Sequence, residues 1–381
     1  MKSPLFEALS KLGYRHAWCI DFEFVAPPGH KPRPICMVAK CLITGKVVRL
    51  WEGGMSVCPF KVTPDNLFIA FYASAETSCF DALGWPSPCR MLDLFTEFRC
   101  LTNGAGPGHG NGLIGALMHY SLPTIGGDEK EAMRELIMSG GPWSDTQAAE
   151  IMAYCESDVD ALGRLLGAML PALLDAAGRF GQALLRGRYM AAVGIVENNG
   201  IPVDVGLHMQ LVKHWPNIKR GLIEVVDADF GVYECGRFVV AKFAAFLSSR
   251  GIPWPRLPSG ALALDDETFR TQARAYTVIS PLRELRHSLG QLRLNELTIG
   301  PDGRNRALLS TFRAKTGRNQ PSNSRFIFGP SVWVRHLIKP APGRAIAYID
   351  WSSQEIAIAG ALSGDNALWE AYASGDPYIA F

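Results

Sequence analysis

Four acidic residues and one tyrosine carry the chemistry this chain could do: Asp21 and Glu23 in AWCIDFEFVA, Glu76 in FYASAETSCF, and Tyr154 with Asp158 in AYCESDVDAL. Carboxylates are the hard oxygen donors that magnesium and manganese prefer. Two such ions can hold the attacking and leaving oxygens of a phosphodiester in line. Asp21 and Glu23 stand two residues apart in a run with strand character, which sends both carboxylates to one face and Ile20, Phe22 and Phe24 to the other. Tyr154 and Asp158, four apart in a helical polar-apolar pattern, share one helix face. Each motif alone is ordinary, since a lone Asp-x-Glu is usually a solvated outer face. Their order is less ordinary: an acidic pair on the first strand of a β-rich opening, a third acid, then a Tyr-x-x-x-Asp helix. That order reads as a two-metal nuclease site. Asp81 and Asp93 also follow the first pair and compete with Glu76 as its third acid.

A second acidic position lies in AIAYIDWSSQEIAIAGALSGD, residues 345–365. There an apolar run with strand character ends in Asp350, and a helix with apolar periodicity begins just after it. An acid at the end of a buried strand, beside a helix N-terminus, can hold a divalent ion against a triphosphate. On spacing alone a simpler role competes, in which Asp350 or Ser352 caps the following helix.

The elements that must position these groups are legible in outline. AWCIDFEFVA, PICMVAKCLI and KVVRLW read as strands separated by Pro/Gly-rich or Thr-Gly turns, SAETSCFDALGW as a helix and CRMLDLF as a further strand. Antiparallel strands followed by helix, strand and more helices predict an α/β sheet with helices packed on it. NGAGPGHGNG lacks the Gly-Lys-Ser/Thr ending of a phosphate cradle, so a loop before the helix GLIGALMHY is expected. From about residue 175 the pattern turns helical, with RGRYMAAVGIVENNG closing on a glycine.

At 381 residues and 48% hydrophobic content the chain can bury two or three cores. A net charge of only +2 gives no global sign of nucleic-acid binding. Local charge says more. Arg283, Arg286, Arg293, Arg304, Arg306, Arg313, Lys315, Arg318, Arg325 and Arg335 crowd a stretch with few acids, interleaved with Leu292, Leu294, Leu308, Leu309 and Phe312, which suggests a phosphate-facing surface. Nine cysteines without a Cys-x-x-Cys argue against structural zinc or a disulfide framework and for reduced thiols. The N-terminus lacks a signal-peptide core, and ALGRLLGAMLPALLDAAG is broken by Arg164 and Pro171, so the expectation is a soluble cytoplasmic protein with no membrane partner.

The segments around Asp21, Glu23, Glu76, Tyr154 and Asp158 resemble the proofreading 3′ to 5′ exonuclease domain of family A DNA polymerases, the tyrosine-bearing subclass of the DEDD superfamily. The resemblance implies an RNase H-like domain in which Asp21, Glu23, Glu76 and Asp158 hold two Mg2+ or Mn2+ ions and Tyr154 orients the attacking water. The family normally carries Asp where Glu76 stands, and Gly84 and Asp93 follow at the intervals usual after that Asp. Gly200-Ile201-Pro202-Val203-Asp204 is similar to the family's entry into the polymerase region, and PSGALALDDETF to its thumb-proximal segment. Residues 345–365 resemble the family's motif A, although Ala357 replaces a usual arginine. By that resemblance Asp350 is a palm metal ligand and Glu355 the side chain that disfavours a ribose 2′-hydroxyl. Thr316-Gly317-Arg318 is similar to the Thr-Gly-Arg whose arginine contacts the primer.

The organisation implied is an exonuclease over 1–175, a mainly helical thumb-like region over 176–300, and the start of a palm over 301–381. The expected partners are single-stranded DNA 3′ ends and primer-template. Because the sequence stops after motif A, the expectation is a phage-like fragment or split-gene product that uses dNTPs only with a second polymerase chain. Two further readings stay open: an RNase D-like RNA exonuclease, and a non-catalytic DNA-binding subunit of a split polymerase.

Overall fold

A computed structural model describes residues 4–103, 108–124, 126–291, 296–329 and 332–380. Residues 104–107 of the glycine-rich run, Leu292, Arg293 and Leu294 of the basic stretch, and Phe381 lie outside the described residues. The chain divides into two compact units, Met1–Lys339 and Pro340–Phe381.

The first unit is organised on a five-stranded sheet. After helix α1 (Pro4–Lys11) come β1 (His16–Val25), β2 (Arg33–Cys41), β3 (Val47–Trp51), β4 (Asn66–Ala70) and β5 (Met91–Asp93), in spatial order β3-β2-β1-β4-β5. The first three strands pair antiparallel, whereas β1 with β4 and β4 with β5 pair parallel. The three strands expected in the opening are present. NLFIA, however, was not anticipated as a strand. All five of its residues are buried, so it has none of the alternation that marks a half-exposed strand. CRMLDLF yields a strand of only three residues, because Asp93 turns the chain into helix α3 (Leu94–Thr102) by accepting the Phe95 N–H at 3.0 Å.

Both faces of the sheet are covered. Helix α2 (Ala73–Ala82) leaves β4, and α3, α4 (Leu113–His119) and α5 (Gly127–Met138) lead into the long α6 (Asp145–Leu174). Ser144 and Gln147 form a reciprocal capping box that starts α6. One core joins Cys19, Val38, Leu67 and Ile69 to Cys155, Leu162 and Leu166 of α6. The apolar run containing Arg164 and Pro171 therefore belongs to a core-facing helix, and among the described residues no helix is long and apolar enough to cross a membrane. The other core gathers Ile20, Phe22, Phe68 and Phe80 with Met190 of α7 (Arg179–Asn199). A Cβ on Gly187 or Gly194 would fall 2.0 Å from Met91 O or 2.3 Å from Thr77 Oγ1, so only glycine lets α7 approach β5 and α2 this closely.

Beyond α7, β6 (Ile201–Pro202) leads to α8 (Val205–Asp227), the small hairpin β7 (Tyr233–Glu234) and β8 (Arg237–Phe238), and helices α9 (Val240–Ser249), α10 (Asp266–Ala275) and α11 (Ser280–Gln291). These hold their own core around Phe243, Phe269, Ile279 and Leu282. β9 (Arg304–Asn305) then pairs antiparallel with β6.

The second unit contains α12 (Gln354–Ser363), α13 (Asn366–Ala373) and α14 (Pro377–Ala380). The buried strand expected to end at Asp350 is absent: residues 341–350 are irregular and exposed, with Tyr348 at 89% and Ile349 at 81%. A strand needs a ladder partner, and this segment has none among the described residues. The cap expectation also fails in detail, because Ser353, in a left-handed conformation (φ 47°), is the N-cap of α12.

Candidate active site

The expected acidic residues meet where β1 outruns β4. The parallel pairing of these strands ends at Cys19 and Ile69, and the two residues that matter, Asp21 and Glu23, project beyond it. The side-chain alternation is as expected, since Ile20 and Phe22 enter the opposite core. The Cys155 thiol donates to the Asp21 carbonyl at 3.3 Å and so pins α6 to β1 at this level. Ligand atoms of Asp21, Glu23 and Cys155 lie within 4.8 Å of one another. The first turn of α2 brings in Glu76, which is 3% exposed and whose Oε2 has no hydrogen-bond partner among the described residues. One turn of α6 supplies Tyr154 and Asp158, whose side chains hydrogen-bond each other. Helix α5 contributes Lys130, with Nζ 3.7 Å from Asp158 Oδ2.

Burial and mutual repulsion disfavour charge on this cluster. Burial, then the nearby Asp158, push Asp21 up to about 8. Burial, then Asp21, Cys36 and Asp158, push Glu23 up to about 10. Glu76 is held well above the ordinary carboxylate range by burial and then by Asp21 and Glu23. Burial also raises Asp158, although Lys130 and Tyr154 oppose that rise. Burial keeps the Tyr154 phenol neutral, so it remains a donor. The carboxylate oxygens of Asp21 and Glu23 beside the Cys155 thiol, with an orphaned buried oxygen on Glu76, form a donor set that can take a metal cation.

The rival third acids are committed elsewhere. Asp81 accepts from Asn198 Nδ2 at 3.0 Å and lies 3.7 Å from Lys31. Asp93 is fully buried and accepts from the backbone N–H groups of Tyr72 and Phe95 and from the Thr96 hydroxyl, each at 3.0 Å. Tyr72 is the left-handed residue (φ 73°) that opens α2, so Asp93 fixes the turn that aims Glu76.

The cluster opens into a groove of about 1000 Å³. Asp21, Glu23, Glu76, Tyr154 and Asp158 line one side, and Ser310, Arg313, Gln320 and Arg325 line another. The basic stretch is not one phosphate-facing surface, as the sequence suggested. Arg286 lies over the rings of Phe238 and Phe269 at 4.3 and 4.5 Å. Arg304 donates to the carbonyls of Asn199 and Gly200, and Arg306 to Asp302 and to the carbonyl of Asn198. The Arg304 and Arg306 guanidinium groups thus cap the carbonyl end of α7.

Arg318 is exposed beside a turn that Gly317 (φ 76°) makes possible. Asp350 and Glu355 are exposed in the second unit. Sequence reasoning missed Lys130 and Arg134, one turn apart on α5 and both lining the groove, and it missed Cys155. The i,i+4 cations in KEAMR were the available signal, but they lie outside the late basic stretch in which the sequence crowds its cations.

No protein-family model and no curated protein matches the chain. Among solved structures, the chain is similar to the POL domain of Pol1 from M. smegmatis, solved in complex with DNA primer-template and dNTP. The TM-score is 0.59 at 15% identity, over 99% of this chain and 64% of that one. At that identity the likeness is one of fold, that of a DNA polymerase I polymerase domain.

Proposed function

We propose that this chain is a metal-dependent 3′ to 5′ exonuclease of the family A polymerase type, with residues 1–175 forming the nuclease and α7 bracing it. The observation that carries the reading is the convergence of Asp21, Glu23, Glu76, Tyr154 and Asp158 on one groove, with a buried Glu76 oxygen left unpartnered. Asp21, Glu23, Glu76 and Asp158 would hold divalent ions. Bound there, such ions supply Lewis-acid stabilisation and an activated water. Tyr154, neutral and bonded to Asp158, keeps a hydroxyl beside that carboxylate, where it can orient the water. Lys130 offsets negative charge at Asp158. A frayed 3′ end is already single-stranded and enters without duplex opening.

DNA is the proposed polymer, supported by a fold similar to that of a structure solved with DNA primer-template and dNTP. Residues 176–300 are proposed as a thumb-like region and 301–381 as palm. Asp350 would be a palm ligand, Glu355 a sugar-discriminating side chain, and Arg318 a primer contact. Incubation of labelled single-stranded DNA and RNA with Mg2+ or Mn2+ tests the reading. Mononucleotide release from DNA 3′ ends is expected, and release from RNA alone would move the protein to the RNase D-like class.

A further inference from the structure

Resting on that nuclease reading, we propose that Arg313 and Arg325 grip the phosphates of the strand whose 3′ end sits among the carboxylates. The strand-holding part of the nuclease site is then supplied by a segment far from it in sequence. Both arginines line the same groove as Asp21 and Glu23, and Lys130 and Arg134 line it from α5. Cations on the walls of the groove focus phosphate into it.

Their backbones are fixed, but their side chains are uncommitted. Arg99 donates from Nε to Phe312 O at 2.9 Å and from Nη2 to Arg313 O at 2.8 Å. The Leu309 N–H donates to Glu197 Oε1 at 2.6 Å, and Asn305 Nδ2 donates to Arg325 O at 2.8 Å. The segment is thereby strapped to α3, α7 and β9 through its main chain. Arg313 and Arg325 are themselves exposed, and neither guanidinium has an ion-pair or hydrogen-bond partner among the described residues. Arg286, Arg304 and Arg306 of the same stretch are instead engaged by rings, carbonyls or Asp302. A planar, permanently charged donor fork on a fixed backbone at the lining of a groove is an arrangement that can bind phosphate bidentately.

The test uses the full chain and the double variant Arg313→Ala/Arg325→Ala, with the Arg→Lys pair as a charge-retaining control. Binding of a fluorescein-labelled oligodeoxythymidylate is measured by anisotropy in Ca2+ over a salt series. Turnover of limiting oligonucleotide is compared with that of the 5′-p-nitrophenyl ester of thymidine monophosphate, which has no upstream phosphates. The alanine pair should weaken oligonucleotide binding at least about tenfold and lower the salt slope by about 1.4, the value for two phosphates of a single strand. The ratio of oligonucleotide to small-ester turnover should fall in parallel, and the lysine pair should recover much of the slope. An alanine pair with wild-type affinity and slope, in a protein that hydrolyses both substrates, overturns the inference alone. A wild-type chain that hydrolyses neither substrate removes the nuclease reading as well.

Discussion

Replacing Asp21 with asparagine should stabilise the metal-free protein above neutral pH while destroying its nuclease activity. The fold lifts the Asp21 carboxyl from an ordinary 3.8 to about 8. In the unfolded chain the group ionises near its ordinary value, so between these limits the native state holds a proton that the unfolded state has released. Stability therefore falls as pH rises through that window, and no penalty remains below about 4, where both states are protonated. At about 1.4 kcal/mol per tenfold, the Asp21 penalty is on the order of 6 kcal/mol once the window is crossed. Glu23 and Glu76 share the same repulsion, so one neutral substitution recovers part of it, on the order of 2–3 kcal/mol. That corresponds to a Tm gain on the order of 5 °C for a unit of this size. Thermal denaturation in excess chelator between pH 5 and 9 measures it: wild-type Tm should decline with pH, and Asp21→Asn should decline less. A flat wild-type profile, or an asparagine variant less stable at pH 8.5, would refute the reasoning. Mg2+ should restore the wild-type Tm at high pH and leave Asp21→Asn nearly unmoved, because ligand binding to the native state is what offsets the penalty.

Further outcomes follow from the neighbouring residues. Glu76→Ala should reduce nuclease activity by orders of magnitude without loss of Tm, whereas Asp81→Ala should retain activity in a hydrolysis assay. Asp93→Ala removes three hydrogen-bond acceptances from a buried carboxyl and should cost on the order of 2–4 kcal/mol, read by denaturant unfolding. Tyr154→Phe should slow hydrolysis roughly a hundredfold while metal binding by calorimetry persists. Gly194→Ala should lower Tm, since its Cβ would meet Thr77 Oγ1 at 2.3 Å and Ser74 O at 2.5 Å.

Local chemistry was legible where periodicity or capping governs the chain. The alternation of Ile20, Asp21, Phe22 and Glu23 announced both the strand and its acidic face, and Gly200 marked the end of α7. β4 was hidden because burial on both faces erases alternation. Asp93 looked like a possible ligand because only three-dimensional packing reveals the Tyr72 and Phe95 amides it serves. The arginine-rich stretch read as one surface because sequence cannot tell a guanidinium that caps helix carbonyls, as Arg304 does, from one that lines a groove, as Arg313 does. Residues 345–350 looked like a strand because apolar β-formers were counted without the ladder a strand requires.

The most direct test compares wild-type chain with Asp21→Ala/Glu23→Ala on 5′-labelled single-stranded DNA, with Mg2+ or Mn2+ and with excess chelator. The account predicts a ladder of products shortened from the 3′ end by wild type with metal, and intact substrate in the other arms. Equal digestion by the double variant, or digestion in chelator, would contradict it.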